Sequence, residues 1–289
     1  MDWQFWTVQY PEQVAGAGMS EWERAVQRTY DTVAVEYAAR IFDELAGKPF
    51  DRAILDRFAA LAGPLGPVCD LGCGPGQVAR YLHDRWHEHG LDAFGIDLSP
   101  AMVAEARRLN PGLRFEQGSM LALDLEDEQL GGIAAFYSIV NVPREDQPRA
   151  FAELWRVLKP GGWLLAAFHV GTEDAHLEEW WGTAVSVDFY FFDPTEIETR
   201  LTAAGFTIEE RHIREPYPEV EHPSRRAYLL ARKPTETSSP RPPLRAGEGE
   251  QMIRFPLSIA MGRGAGGGAS WPADRCSCDC TRVQSSMRR

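Results

Sequence analysis

Residues 68–82, VCDLGCGPGQVARYL, constrain the fold of this chain more than any other segment. Their apolar start, 68–71, predicts a buried parallel strand that ends at an acidic residue and leads into a helix. Between the two lie Gly72, Gly74 and Gly76, which permit a tight turn with positive φ and a close approach of a ligand to the backbone. The helix that follows would direct its unpaired N–H groups towards that ligand.

The spacing of these glycines argues against a nicotinamide cofactor. A dinucleotide-binding turn reads G-x-G-x-x-G, whereas this chain has G-x-G-x-G, with Asp70 two residues before the first glycine. A carboxylate there would repel a pyrophosphate but suits a ligand that carries an ammonium group. The segment resembles motif I of the class I S-adenosylmethionine-dependent methyltransferases, whose ligand has an α-amino group and no phosphate.

Composition narrows the class of protein. The 289 residues suffice for one large or two small domains, and 44% of them are hydrophobic, which is ample for a core. A net charge of −12 argues against DNA or RNA as an obligate partner, although it leaves room for a locally basic pocket. With an odd number of cysteines, no secretory segment and no long apolar run, we expect a reduced, soluble, cytoplasmic protein without a membrane partner.

The chain divides into four parts by pattern. We expect an N-terminal arm at 1–19, a helical cap at 20–63 and the methyltransferase domain at 64–233, with an aromatic insertion at 171–193. Residues 234–289 contain SSPRPPLRAGEGE and GRGAGGGAS and have the composition of a disordered tail.

Strands and helices alternate through the central part, which predicts an α/β fold with a doubly wound, mostly parallel sheet. Strands are predicted at 68–71, 92–97, 113–116, 132–138, 162–169, 206–214 and 226–232. Helices are predicted at 20–45, 51–62, 77–89, 100–109, 146–158 and 194–204. The resemblance implies seven strands, helices on both faces and a C-terminal antiparallel hairpin.

Three local signals set the helix boundaries. Ser20 and Glu23 have the spacing of a capping box at the start of the first helix. Pro49 is expected to end that helix. Lys159–Gly162, KPGG, is expected to end a later helix just before a strand.

Asp97 closes the predicted strand AFGID about twenty residues after the glycine loop. A carboxylate at this position can accept hydrogen bonds from both ribose hydroxyls of the cofactor. The alternative is an N-cap role for the next helix, but Ser99 can supply that cap. Leu98 and Met102 would then line the adenine face.

The resemblance implies further cofactor contacts. Asp70 would contact the methionine part directly or through water, although it could simply accept hydrogen bonds from amides of the turn. The loop itself would contribute Gly72, Cys73, Gly74, Pro75 and Gly76.

The adenine is expected near Gly118, Ser119 and Met120, after the third strand. The family often has an acid where Ser119 stands, so the side-chain contact would be weaker here, with Asp124 as a less favoured substitute. Ser138, after the fourth strand, would border the cofactor through its backbone.

A histidine marks the predicted acceptor site. His169 lies at the carboxyl end of the fifth strand, where open α/β sheets bind ligands, and could act as a general base or only position the acceptor. His176 and Tyr190 are weaker candidates.

The N-terminal helix adds two aromatic candidates. In related small-molecule methyltransferases this helix covers the cofactor. Tyr30 is therefore a candidate cofactor contact, with core packing as the alternative, and Tyr37 faces the same side.

Two observations argue against other functions: one motif is missing, and one cysteine run has the wrong spacing. The N/D-P-P-Y/F/W motif of enzymes that methylate adenine or glutamine amino groups is missing from Tyr137–Asn141. Cys276, Cys278 and Cys280 lack the spacing and the further ligands of a structural zinc site, and the seven histidines show no ligand pattern, so no metal is expected.

The sequence therefore predicts an S-adenosylmethionine-dependent methyltransferase that acts on a small-molecule acceptor by in-line transfer. The alternative from another class is a catalytically inactive S-adenosylmethionine-binding protein with a regulatory or scaffolding role. A nicotinamide-dependent oxidoreductase is disfavoured by the glycine spacing.

Overall fold

The computed structural model describes residues 18–218 and 220–235. The expected arm at 1–19 and the expected tail at 234–289 fall almost entirely outside these residues. The cysteine run at 276–280 lies outside them as well.

The described chain alternates helices and strands. The helices are α1 (Glu21–Ile41), α2 (Pro49–Ala62), α3 (Gln77–Trp86), α4 (Pro100–Leu109), α5 (Gln147–Val157) and α6 (Pro194–Ala203). The strands are β1 (Val68–Leu71), β2 (Ala93–Asp97), β3 (Arg114–Gln117), β4 (Leu130–Phe136), β5 (Leu158–His169), β6 (Ala175–Trp180), β7 (Thr183–Phe189), β8 (Thr207–Arg214) and β9 (Arg226–Arg232).

Seven strands form one sheet in the order β3-β2-β1-β4-β5-β9-β8. The first five in this order pair in parallel, and β9 is antiparallel to both β5 and β8. This confirms the doubly wound sheet and the antiparallel pair at its C-terminal end. The strand order reverses on either side of β1, and ligands bind beyond the carboxyl ends of the strands at such a point.

Side-chain alternation along the strands builds a hydrophobic core on each face of the sheet. In β4, Ile133 packs in the cluster with α5 and α6, whereas Ala134 packs in the cluster with α2 and α3. Successive strand residues point to opposite faces, so both faces of a sheet covered by helices must be apolar. The expected helices on both faces are therefore present.

The N-terminal boundaries differ from the prediction at one end. Ser20 caps α1 and completes a capping box with Glu23, as expected. The helix ends at Ile41, and a short 3₁₀ turn at Glu44–Gly47 follows. Pro49 begins α2 rather than breaking α1, because proline has no N–H to lose at the first helical position and its fixed φ suits a helix start.

Two further segments differ from the prediction. Lys159–Gly162 lies inside β5, which starts at Leu158, because the register shift opposite Leu130 and Gly132 absorbs the KPGG kink. The aromatic insertion at 171–193 contains an antiparallel hairpin, β6–β7, that forms a second sheet. In β7, apolar Val185, Val187 and Phe189 alternate with polar residues, whereas β6 is mostly exposed and shows no such alternation.

Candidate functional site

A cavity of about 320 Å³ lies at the carboxyl ends of the parallel strands, beneath α1 and the β6–β7 hairpin. Eleven of the predicted site residues line it: Tyr30, Gly72, Cys73, Gly74, Asp97, Leu98, Gly118, Ser119, Met120, Ser138 and His169. The topology thus brings together residues from α1 and from the ends of β1, β2, β3, β4 and β5.

The glycine loop, Gly72–Gly74, lines one end of the cavity, which we call the cofactor end because the cofactor is predicted to bind there. Gly72 and Gly74 have φ of 72° and 52°, a region that residues with a Cβ avoid. A Cβ on Gly72 would lie 2.3 Å from the Cβ of Ser138, whereas one on Gly74 would meet only Tyr37 Cε1, at 3.6 Å. The first position therefore needs glycine both for its backbone and for the space above it.

Asp97 lies directly beside this loop and also lines the cavity. Its carboxylate accepts hydrogen bonds from Gly74 N and Ser99 N, each at 2.8 Å. Removal from bulk water raises its pKa to about 6, and these two hydrogen bonds act in the opposite direction. The expected helix cap is indeed Ser99, whose Oγ accepts from Met102 N at 3.1 Å, so Asp97 keeps lone pairs for a ligand.

Asp70 has a different environment. Its side chain is buried, it is absent from the cavity lining, and it accepts a hydrogen bond from Ala79 N at 3.0 Å. Burial raises its pKa to about 7. The contact between Asp70 and the methionine part of a cofactor stays a prediction, and the observed donor lies in α3 rather than in the glycine turn.

Three more predicted cofactor residues lie behind the lining. Gly76 caps α3 with φ of 85°, and a Cβ there would meet Phe115 Cζ at 2.7 Å. Pro75 contributes its carbonyl to Asn110. Met102 is fully buried and packs with α1 instead of lining the cavity. These residues support the site from below, and their cofactor contacts stay predictions.

At the adenine end, α1 supplies an acid that sequence reasoning missed. Ser119 Oγ donates to Glu23 Oε1 at 2.5 Å and accepts from Leu121 N at 3.1 Å. Glu23 is buried, and its other oxygen accepts from Ser20. The carboxylate that the family often carries in place of Ser119 thus has a counterpart behind the serine. Its capping-box spacing was visible, but not its tertiary partner.

Aromatic side chains cover the cavity. The Tyr30, Tyr37 and Trp180 rings meet edge to face, with centroids 5.6–5.8 Å apart. Tyr30 also donates its hydroxyl to Asn141 Oδ1 at 3.0 Å, and burial raises its pKa. This cluster, together with a hydrogen bond of 3.1 Å from Thr29 Oγ1 to the Ser186 carbonyl, holds α1 against the hairpin.

His169 lies at the opposite end of the cavity. Its Nδ1 is 2.8 Å from Ser224 Oγ, and its ring lies against Tyr137 and Phe191. Burial, reinforced by the positive charge of Arg226, lowers its pKa to about 3. The imidazole is therefore neutral at pH 7 and is a weak base, and its catalytic role stays a prediction.

Tyr137 lines the cavity as well. It follows β4 with a φ of 59°, which is rare for a bulky residue and occurs where surrounding structure enforces it. Its hydroxyl lies 2.8 Å from that of Tyr228, which donates to Asp51 Oδ1 at 2.6 Å. Asp51 also pairs with Arg214 at 2.6 Å.

Sequence reasoning missed two cations at this end. Lys48 and Arg226 are buried and line the cavity. Lys48 precedes α2 and Arg226 begins β9, and no local motif distinguishes either one. The weaker candidates lie elsewhere: His176 pairs with Asp188 inside the hairpin at 2.7 Å, Tyr190 is outside the lining, and Asp124 is exposed.

Within 18–218 and 220–235, no group of three or more His, Cys, Asp or Glu side chains could hold a metal ion. No helix in the same residues is long and apolar enough to cross a membrane.

Residues 68–162 match the family model described as a methyltransferase domain. Trans-aconitate 2-methyltransferase of Deinococcus radiodurans is 35% identical over 145 residues, which is 50% of this chain and 49% of that protein. Malonyl-(acyl-carrier protein) O-methyltransferase of Enterobacter lignolyticus is 37% identical over 98 residues, 34% of this chain and 36% of that protein. The chain thus spans half or less of the length of these relatives.

Solved structures show the same fold at low sequence identity. A complex of DhpI with S-adenosylhomocysteine has a TM-score of 0.54 at 22% identity, over 74% of this chain and 98% of that one. A methyltransferase from Methanosarcina mazei gives 0.52 at 19%, over 59% and 93%. The (4+2)-cyclase SpnF gives 0.53 at 21%, over 74% and 97%.

Proposed function

We propose that this chain, whose residues 68–162 match a methyltransferase domain, transfers a methyl group from S-adenosylmethionine to a small-molecule acceptor. The observation that carries the proposal is a single cavity with two ends. One end joins the glycine loop to Asp97, and the other, beyond Ser138, is lined by His169 and buried cations.

The residues at the first end suit the cofactor. Asp97 offers carboxylate oxygens to ribose hydroxyls, and the loop at Gly72–Gly74 leaves open the space that side chains would fill. The buried Ser138 Oγ has no hydrogen-bond partner among the described residues. Together these groups supply acceptors, close backbone approach and a spare hydroxyl at one place.

When bound, S-adenosylmethionine supplies an electrophilic methyl group on a sulfonium. The contribution of the protein would be alignment and exclusion of water. Tyr30, Tyr37 and Trp180 line the cavity with apolar ring surface, and so does Tyr137, which follows β4 between β1 and β5 in the sheet. Such transfer requires no strong base on the protein when the acceptor is already nucleophilic.

A small acceptor is favoured by the enclosure of the cavity under α1 and the hairpin. The names of the two relatives specify trans-aconitate, a small molecule, and malonyl-(acyl-carrier protein), a malonyl group on a carrier. Both agree with an acceptor whose reacting part is small. The net charge of −12 disfavours a nucleic-acid acceptor.

The first test is isothermal titration of the full chain with S-adenosylmethionine, S-adenosylhomocysteine and NAD⁺ in parallel. We expect micromolar binding of both adenosyl ligands and none of NAD⁺. Absence of adenosyl binding would contradict the proposal.

The alternative, a binding protein without turnover, predicts the same titration but no transfer. Incubation with radiolabelled S-adenosylmethionine and a panel of small metabolites separates the two. Labelled product supports the enzyme, whereas tight binding without transfer across the panel favours the regulatory protein.

A further inference from the structure

We propose that the acceptor is a carboxylate anion, held at the His169 end of the cavity by Arg226 and Lys48 and methylated on oxygen. This inference rests on the proposed function and adds the chemical class of the substrate. Both cations line the cavity and are almost wholly buried, with side-chain exposures of 3% and 6%.

Arg226 has an unused donor. Its Nη1 donates to the carbonyls of His222 and Ser224 and to Ser224 Oγ. Its Nε is buried without a hydrogen-bond partner among the described residues, and the nearest carboxylate oxygen, on Glu221, is 3.7 Å away. Buried donors are nearly always satisfied in proteins, so this N–H is suited to an acceptor oxygen that a ligand brings.

Of the neighbouring anions, Glu221 lies 3.5 Å from Lys48 Nζ and 3.7 Å from Arg226 Nε, but its hydrogen bonds go to other partners. Glu221 accepts from both terminal nitrogens of Arg214, at 2.6 and 2.8 Å, and from Tyr217 N at 2.8 Å. Although burial opposes it, these hydrogen bonds lower the pKa of Glu221 to about 2.

The other two anions are paired as well. Glu44 lies 2.7 Å from Lys48 Nζ, and Asp51 lies 2.6 Å from Arg214. The charges of Lys48, Arg214 and Arg226 are therefore balanced by those three anions. What this end offers a ligand is the unpaired N–H donor on Arg226 Nε rather than an excess of positive charge.

Burial lowers the pKa of both histidines that line the cavity, His169 and His222, and this bears on the class of acceptor. An alcohol or an ammonium group must lose a proton during transfer. His169 has its pKa lowered to about 3, chiefly by burial. It would therefore take such a proton poorly.

The tyrosine pair offers no better route. Because Tyr228 donates its single proton to Asp51, Tyr137 must donate its own to Tyr228, and Asp51 is already paired with Arg214. A proton passed along this hydrogen-bond series would end on the Asp51 carboxylate, which already pairs with Arg214. The pair thus fixes the Tyr137 ring without acting as a base.

A carboxylate needs no base. One of its oxygens forms a bond to the methyl carbon while the carbon–sulfur bond breaks and its electron pair goes to sulfur. The products are a methyl ester and S-adenosylhomocysteine, and no proton is released. The step balances with the two reactants alone, and the neutral His169 can lie beside the ester without participating in proton transfer.

The test compares three compounds that share one carbon skeleton and differ only in their polar group. The full chain, saturated with S-adenosylhomocysteine, is titrated calorimetrically with 3-phenylpropanoate, 3-phenylpropan-1-ol and 3-phenylpropylamine. We expect the acid to bind at least tenfold more tightly than either analogue. With S-adenosylmethionine and the same three compounds, we expect methyl 3-phenylpropanoate as the product.

Acid binding that is absent, or no tighter than that of the alcohol, would overturn the proposal, as would methylation of the alcohol or the amine. Binding of S-adenosylhomocysteine in the same cell establishes the cofactor end independently, so its failure identifies failure of the proposed function instead.

A variant pair localises the effect. Arg226→Gln should lose at least tenfold in acid affinity and retain affinity for S-adenosylhomocysteine, whereas Arg225→Gln, at an exposed neighbour outside the lining, should leave both unchanged. Circular dichroism checks that each variant folds, and the head-group series on the unmodified chain decides the proposal even if Arg226→Gln does not. Retention of acid affinity in folded Arg226→Gln would remove Arg226 from the site.

Discussion

The residues that line the two ends of the cavity are distributed differently along the chain. At the cofactor end, the glycine loop and Asp97 lie on adjacent strands, β1 and β2, and form direct hydrogen bonds with each other. At the acceptor end, Lys48, His169 and Arg226 come from the α1–α2 connection, β5 and β9, far apart in the chain.

This difference explains why residues of the cofactor end could be predicted from the sequence, whereas the cations of the other end could not. Backbone geometry that a ligand requires is encoded locally, in glycines at a fixed spacing. Side-chain chemistry that an acceptor requires is assembled by the topology, from residues that need no motif. Under the proposed function, the first end can be common to many enzymes of this fold, while the second would determine what this chain acts on.

Substitution in the loop should give the largest effect and sharpen the comparison. Gly72→Ala combines a left-handed backbone with a Cβ 2.3 Å from Ser138, so we expect a loss of about 2–5 kcal/mol in unfolding free energy. Gly74→Ala is the matched control, with positive φ but no clash, and should lose only about 1–2 kcal/mol. Urea denaturation measures both, and equal losses would show that contact with Ser138 is unimportant.

A second prediction concerns Asp70, which was predicted to contact the cofactor and whose carboxyl group is buried. Its pKa of about 7 exceeds the value of about 3.9 in an unfolded chain. The native state therefore binds this proton more tightly, and its stability falls as pH rises from about 4 to about 7. Asp70→Asn removes that loss, so the variant should gain about 2–4 kcal/mol relative to the unmodified chain between pH 4 and pH 8.

The measurement is urea denaturation of both proteins at pH 4 and pH 8, with Asp124→Asn, at an exposed loop residue, as the control that should show no such gain. A difference that does not change with pH would mean that Asp70 is ionised at little cost. Titration of the same variant with S-adenosylmethionine tests the predicted contact with the methionine part.

Several residues predicted to contact the cofactor, among them Gly72, Gly74, Asp97 and Ser119, line the cavity, and their contacts with the cofactor stay predictions. Met102 was placed on the adenine face but is buried against α1, since strand-to-helix spacing does not say which side of the helix turns inward. The cations Lys48 and Arg226 had no local motif, and of the hairpin only β7 shows an alternation of apolar and polar residues. Tertiary contact alone brings the two cations to the cavity.

Asp97 tests the cofactor end directly. Asp97→Ala should weaken S-adenosylmethionine binding by more than about tenfold, the scale of losing hydrogen bonds to a charged group. Asp124→Ala should leave the affinity unchanged, because its side chain is exposed and outside the lining. Calorimetry on both variants checks this, and an unchanged affinity for Asp97→Ala would remove the ribose assignment.

The smallest expected effect concerns the cover that both ends share. Tyr30 donates to Asn141 Oδ1 at 3.0 Å, and Asn141 in turn donates to the Asp188 carbonyl at 2.8 Å. Tyr30→Phe removes the first of these bonds and leaves a partly buried acceptor, so we expect a loss of about 1 kcal/mol in stability. The loss should come with a few-fold weaker affinity for S-adenosylmethionine, because α1 would be held less firmly over the cavity.

Tyr37→Phe is the matched control on the same helix face. The Tyr37 hydroxyl makes no hydrogen bond within the described part of the chain, although its ring packs against Tyr30 and Trp180 at 5.8 and 5.6 Å. Removal of this hydroxyl should therefore change stability by less than about 0.5 kcal/mol. If the two variants lose equally, the rings alone hold the cover, and the hydrogen bond to Asn141 does not connect the cofactor end to the hairpin.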